Sequence, residues 1–275
     1  MPAPPSRIVL VTGASSGIGE ATVRALLARG HRVHAGARRV ARMEPLQEAG
    51  ATVHALDVTD EDSMSAFVAA VLEQEGRIDA LVNNAGFAVY GAVEEVSLEE
   101  ARGQFEVNLF GVARLTQLVL PVMRRQGGGT IINISGAEGR AYTPLGAWYH
   151  ASKHALEGWS DCLRHEAAEF GVRIVLIEPG AIQTEFGEVA MAALLQRSET
   201  GPYSVTARKM AAATRRTFAG GRASPPSLIA DLIGDILLSS RPKTRYVIGH
   251  LARPMLFARR FLGDRLFDQM IRRFL

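Results

Sequence analysis

Tyr149 and Lys153 stand four residues apart in Tyr149-His150-Ala151-Ser152-Lys153, a spacing that puts both side chains on one face of a helix. A phenol with a pKa near ~10 is a poor base at neutral pH. A nearby cation lowers that value by favouring the phenolate. Such a pair suits one kind of chemistry, the movement of a proton at an oxygen while hydride leaves or reaches the carbon that bears it. Lone Tyr/Lys pairs at this spacing are common and usually structural, so the surrounding elements decide the reading.

The first strand-like segment ends in Thr12-Gly13-Ala14-Ser15-Ser16-Gly17-Ile18-Gly19 and leads into a helical pattern. Gly13 permits a tight turn, Gly17 lets the backbone approach a phosphate, and Gly19 allows close helix packing. A pyrophosphate would rest there among Ser15, Ser16 and Ile18, on free N–H groups at the positive end of the helix. At the end of the second strand, where an NAD site places an acid, the chain carries Ala37-Arg38-Arg39. The missing carboxylate removes repulsion, and a guanidinium grips a 2′-phosphate in bidentate fashion. This favours NADP(H) over NAD(H); solvated surface arginines are the alternative. Asp57, with the Val58 backbone beside it, is placed to accept from an adenine amino group, although an N-cap role for Thr59 or Asp60 explains the neighbouring polar residues equally well.

Strand-like and helix-like segments alternate throughout the 275 residues, with seven strands at Arg7–Thr12, Arg32–Ala37, Thr52–Leu56, Ala80–Asn83, Thr130–Ile134, Val172–Ile177 and Arg245–Gly249. Near-continuous apolar strands separated by helices imply a doubly wound, Rossmann-type α/β fold, a parallel sheet covered on both faces. With 47% hydrophobic residues and no linker or repeat, residues 1–275 read as one domain. Cys162, the single cysteine, excludes an internal disulfide, fits a reducing compartment and is expected as a buried structural thiol. Met1–Ser6 lacks the features of a signal peptide, and no uninterrupted apolar run approaches the ~20 residues of a membrane helix, so the cytoplasm is the expected compartment. No metal site is assigned. A net charge of +3, with arginines crowded into one tail, gives no support for nucleic-acid binding.

Four signals in order carry a resemblance to the short-chain dehydrogenase/reductase family: Thr12–Gly19, Asn83-Asn84-Ala85-Gly86, Tyr149–Lys153, and Pro179-Gly180 followed by Thr184. The resemblance covers the chain to about Thr184. It implies an oxidoreductase interconverting a carbonyl and an alcohol, with Tyr149 as general acid/base and Lys153 binding the nicotinamide ribose and lowering the tyrosine pKa. Asn108 would hold a relay water, with a helix-kink role satisfying backbone as its other reading. Asn83, Ala85 and Gly86 would line the cofactor, while Asn84 ties the central strands together. Pro179, Gly180, Ile182 and Thr184 would hold the nicotinamide end. Family habit implies a dimer or tetramer.

One departure stands out. The family's catalytic serine is the second of a Ser-Ser pair closing the fifth strand; here the sequence is Ile134-Ser135-Gly136, and that place is a glycine. Ser135 falls one residue early and in extended backbone faces away, unless Gly136 permits a bulge. Loss of one donor to the substrate oxygen costs ~10²–10³ in rate. The chain either works more slowly, recruits another hydroxyl from Ser135, Tyr142 or Thr143, or has become a non-catalytic NADP(H)-binding sensor or scaffold.

Residues from about 186 to 226 stand where the family places its substrate lid, and Phe186, Met191, Leu194, Leu195, Tyr203, Met210 and Phe218 are candidates for an apolar pocket. Around His154-Ala155-Leu156-Glu157-Gly158 the chain most resembles the steroid- and retinol-dehydrogenase-like branch, which implies lipophilic carbonyl or alcohol substrates. The tail, about residues 254–275, has helical apolar spacing at Phe257, Phe261, Leu262, Leu266, Phe267, Met270, Ile271 and Phe274, with Asp264 as a cap. Arg253, Arg259, Arg260, Arg265, Arg272 and Arg273 give it a basic side. Docking on the domain or on a second subunit is one reading, and peripheral contact with an anionic membrane the other.

Overall fold

The structure, a computed structural model, describes residues 6–274. Met1–Pro5, the body of the N-terminal segment, and the Phe274 side chain lie outside the described residues. The chain begins with β1 (Ile8–Thr12), α1 (Gly17–Ala28) and β2 (Arg32–Ala37), then a short turn of helix into α2 (Glu44–Glu48). It continues through β3 (Thr52–Ala55), α3 (Glu61–Glu75) and β4 (Ala80–Asn83). A continuous helix follows as α4 (Leu98–Phe105), a π-helical turn at Glu106–Phe110, and α5 (Gly111–Arg125). Then come β5 (Gly129–Ile134), α6 (Ala147–Ala168), β6 (Val172–Pro179), and the lid helices α7 (Glu185–Arg197) and α8 (Ser204–Ala219). The chain closes with α9 (Ser227–Leu238), β7 (Arg245–Ile248), α10 (Ala252–Phe261) and α11 (Gly263–Phe274).

All strands run parallel in the order β3-β2-β1-β4-β5-β6-β7, the seven-stranded doubly wound sheet expected. Period-two alternation builds its two layers. Val9 and Val11 of β1 pack with α1 and α9, against Leu26, Ile233 and Ile236. Ile8 and Leu10 point the other way, toward α3, α5 and α6, against Phe67, Val119 and Leu163. Strand order reverses between β1 and β4, which opens a crevice at the strand C-termini there.

Helix α6 starts at Ala147, so Tyr149 lies within its first turn. Several expectations need correction. Cys162 is exposed rather than buried, on the outer face of α6. Asp264 does not cap its helix: it lies inside the first turn of α11 and pairs with Arg259 at 2.8 Å, the break being made by Gly263 at φ 67°. The run Leu98–Arg125 is long and apolar enough to cross a membrane by length and composition, although no uninterrupted apolar stretch within it is. In this fold its inner face, Leu115, Val119 and Met123, is buried in the domain core, as in the core helix of a globular protein.

Candidate active site

The crevice opens into one cavity of about 820 Å³ that runs from the glycine turn after β1 to the lid helices. Gly13 and Gly17 adopt φ of 65° and 59°, left-handed values that glycine tolerates best. A methyl group on Gly19 would strike the Gly13 carbonyl oxygen, so helix and turn can only pack this closely with hydrogen there. No side chain caps the first turn of α1, which leaves its N–H groups for an anion. Arg39 reaches over this turn, its guanidinium 3.3 Å from both the Ser15 and Ser16 hydroxyls. Arg38 lines the same end; burial pushes the Asp57 carboxyl up, but hydrogen bonds from the Thr59 N–H and hydroxyl, with a smaller part from Arg38, draw it below its ordinary value. A glycine cradle, an uncapped helix end and two arginines fit the phosphates of a nicotinamide dinucleotide.

Ser15, Ser16, Ile18, Val58, Ala85, Gly86, Pro179, Gly180, Ile182 and Thr184 all line this cavity. Of the two asparagines at the end of β4, Asn83 does not take its expected place, whereas Asn84 ties the central strands β1 and β4 together as expected. Asn83 is buried and donates to Asn133 Oδ1 at 2.9 Å, tying β4 to β5 away from the cavity. Asn84 lines the cavity and donates to the Thr12 and Gly13 carbonyls at 2.9 and 3.2 Å, holding the phosphate turn.

Tyr149 and Lys153 project from adjacent turns of α6 into the middle of the cavity, each only 6% exposed. The Lys153 ammonium donates to the Ile134 carbonyl at 2.9 Å. Burial pulls its pKa down to about 8, against Glu138 and Glu157, which favour the charge. Burial also pushes the Tyr149 phenol well above its ordinary value, with Glu138 and Tyr90 acting in the same direction. The expected lowering by lysine is therefore outweighed here, and the phenol holds its proton. Asn108 sits in the π-helical turn. Its carbonyl accepts the Phe87 N–H at 3.1 Å, and its amide donates to the Phe87 carbonyl and the Ser152 hydroxyl. The side chain serves backbone and helix α6.

At the serine position, Gly136 has φ 166° and ψ 164°, extended backbone without a bulge. Ser135 is buried with its hydroxyl unpartnered, close against Gly139 and on the side of Glu157. Tyr142 donates to Asp268 of α11 at 2.9 Å, and Thr143 is engaged by His150. The Thr143 N–H can only donate to His150 Nε2, which leaves the His150 proton on Nδ1, donating to the Glu138 carbonyl at 3.3 Å. Burial keeps His150 neutral, with a pKa lowered to about 4.

Phe186, Met191, Met210 and Phe218 line the apolar end as expected; Leu194, Leu195 and Tyr203 instead pack in the cluster beneath the lid. Tyr90, Glu138 and His250 also line the cavity, as do Met255 of α10 and Ile271 of α11. Sequence patterns do not single these out, because each arrives through a turn or a contact distant along the chain. The tail docks on the domain: Phe267 is fully buried, its ring 5.1 Å from that of Tyr142. Phe257 and Phe261 remain exposed.

Comparisons with known proteins agree with this geometry. The short chain dehydrogenase family profile matches residues 7–193. The uncharacterized oxidoreductase YusZ of Bacillus subtilis is 39% identical over 254 residues, covering 88% of this chain and 89% of that one. A short-chain dehydrogenase from Streptomyces avermitilis superposes with a TM-score of 0.83 at 33% identity, covering 96% of each chain. The actinorhodin polyketide ketoreductase, solved with NADPH, gives a TM-score of 0.71 at 33% identity over 84% of this chain and 90% of that one.

Proposed function

The chain belongs to the short-chain dehydrogenase family, and on that footing we propose that it is an NADP(H)-dependent reductase of lipophilic ketones or aldehydes, working also in reverse on the matching alcohols. One observation carries this reading: Tyr149 and Lys153 meet in a single cavity with a glycine-and-arginine cradle at one end and an apolar lid at the other. A nicotinamide dinucleotide, when bound, supplies or accepts the hydride. The residues to hold it are the Gly13–Gly19 turn, Arg38 and Arg39 at the 2′-phosphate, Asp57 and Val58 at the base, and Lys153 with Pro179–Thr184 at the far end. Arg38 and Arg39 at the end of β2 support NADP(H) over NAD(H).

The acid/base work falls to Tyr149. Its protonated phenol donates to the carbonyl oxygen as negative charge grows there, and proton transfer from a positioned side chain contributes ~10²–10⁴-fold. Lys153, anchored on Ile134, supplies the positive charge beside that oxygen. Phe186, Met191, Met210 and Phe218 exclude water from the reacting carbon and favour bulky apolar substrates. The reading is tested by NADPH oxidation over a panel of lipophilic ketones and aldehydes. Turnover abolished by Tyr149→Phe is the expected result. NADPH binding without turnover on any substrate favours the second reading, a dinucleotide sensor, which Gly136 motivates.

For the tail we infer contact with an anionic membrane surface. Phe257 and Phe261 pack with ring centres 4.6 Å apart, both about two-thirds exposed at 66% and 64%, with Arg260 over the Phe261 ring and Arg265 and Leu266 also exposed on the tail. Sedimentation with phosphatidylserine vesicles, lost on Phe257→Ser/Phe261→Ser, is the expected outcome. A dimer that buries these rings, with no vesicle binding, overturns it.

A further inference from the structure

We propose that the Glu138 carboxyl takes the place of the missing serine and holds the substrate carbonyl oxygen beside Tyr149. This rests on the reductase reading above and names a catalytic residue within it. The backbone at Gly136 is extended, a conformation any residue adopts, so glycine is not needed there for its flexibility. What stands in the way of a side chain is Glu138: a methyl group built on Gly136 would meet Glu138 Oε2, which would have to swing aside. The carboxyl therefore fills the space into which a serine at 136 would project. Glycine and glutamate form a matched pair, the first making room for the second.

Local folding fixes the carboxyl there. A single 3₁₀ turn over Ala137–Gly139, closed by Gly139 N–H donating to the Gly136 carbonyl at 3.0 Å, brings residue 138 back over residue 136. His150 clamps the Glu138 carbonyl from α6, and Arg140 just beyond it pairs with the buried Glu178 of β6 at 3.3 Å. The turn is thus held from both sides while the carboxyl opens into the cavity. Of the other hydroxyls, Tyr142 is bonded to Asp268 and Thr143 to His150, while the unpartnered Ser135 hydroxyl lies against Gly139.

The ionisable groups around the carboxyl are Tyr149, His150 and Lys153 from α6, and Tyr90 from the segment after β4; His250 lines the same cavity. Burial raises the Glu138 pKa, opposed first by a hydrogen bond from its own backbone and then by the Lys153 charge. A carboxyl that keeps its proton is a donor, and a preorganised donor aimed at a developing oxyanion is what the serine hydroxyl provides elsewhere. As the carbonyl carbon takes up hydride, the C=O π pair moves onto oxygen and the Tyr149 proton joins it. Glu138 donates a hydrogen bond to that oxygen and keeps its own proton, so the overall balance is unchanged.

The test compares NADPH oxidation by the parent with Glu138→Ala, Glu138→Gln, Gly136→Ser, and Gly136→Ser/Glu138→Ala, alongside infrared difference spectra of the substrate-free proteins. Glu138→Ala should lower kcat by ~10²–10³ with a smaller change in KM. Glu138→Gln keeps an N–H donor and should stay within about tenfold of the parent. It should also lose the fall in rate that the parent shows as Glu138 ionises with rising pH. Gly136→Ser alone should be impaired by collision with the carboxyl, and the double variant should recover by regaining an ordinary serine. In the infrared, a deuterium-sensitive protonated-carboxyl stretch should be present in the parent and absent from Glu138→Gln. Parent turnover that survives Glu138→Ala, a Gly136→Ser variant more active than the double variant, or no protonated-carboxyl band at neutral pH overturns this proposal alone. Absence of turnover in every protein despite NADPH binding overturns the reductase reading and this proposal with it.

Discussion

The Lys153 ammonium is tethered to the carbonyl oxygen of Ile134, 2.9 Å away at the end of β5, and lies 6.0 Å from the centre of the Tyr149 ring. The lysine is thus fixed by a central strand of the sheet, and its charge is aimed by the fold. Lys153→Met leaves that carbonyl unpaired in a buried place and removes the cation facing Glu138. We expect unfolding free energy to drop by about 1–3 kcal/mol. NADPH turnover should fall by ~10² or more. Urea unfolding and steady-state kinetics of the variant check both.

Arg38 and Arg39 stand at the cavity mouth where a 2′-phosphate would lie. Each charge-assisted hydrogen bond to a phosphate is worth enough that Arg38→Ala or Arg39→Ala should cut the preference for NADPH over NADH by ~10–10²-fold. Binding of NADH should change little. Dissociation constants for both nucleotides, measured by protein fluorescence quenching, give the answer; equal losses for both would remove the arginines from this role.

Acid should weaken the fold through histidines kept neutral inside it. Burial lowers His54 to about 4, with His34 adding to the effect, and lowers His150 to about 4. Each folded value lies below the ordinary 6.5, so the unfolded chain binds more protons between these two limits. Stability is therefore full above pH 6.5 and declines as pH falls toward 4. The limiting slope is ~1.4 kcal/mol per pH unit for each such histidine. His54→Asn should flatten that decline relative to the parent in urea titrations across this window.

Phe267 anchors the tail against Tyr142 and the turn after β5. Phe267→Ala should cost about 3–5 kcal/mol, read from denaturant unfolding. Because Met255 and Ile271 line the cavity, KM for a bulky ketone should rise while NADPH affinity holds. A variant with unaltered KM would separate the tail from the substrate end.

The seven-stranded parallel sheet and the two halves of the site were legible because they rest on local signals. These are period-two apolar strands, a glycine trio at a strand-to-helix turn, and a four-residue Tyr/Lys spacing. What escaped was decided by contacts distant along the chain or by which way a side chain turns. Asn83 and Asn84 are neighbours of identical chemistry, and only the β5 partner Asn133 fixes which faces the cavity. Cys162 lies on a helix whose apolar neighbours suggested burial, but its own position faces out. No motif marks Glu138 in the sequence; one helical turn and the glycine at 136 put it in the cavity.

The chamber draws its walls from Gly13 near one end of the chain to Ile271 near the other. During synthesis most of the nucleotide half emerges first, but a domain generally folds as a unit. The substrate half is finished only when α11 has left the ribosome and Phe267 can seat. The cradle waits on late residues as well, because α1 beside the phosphate turn packs on Ile233 and Ile236 of α9, so both halves close only once the C-terminal part has been made.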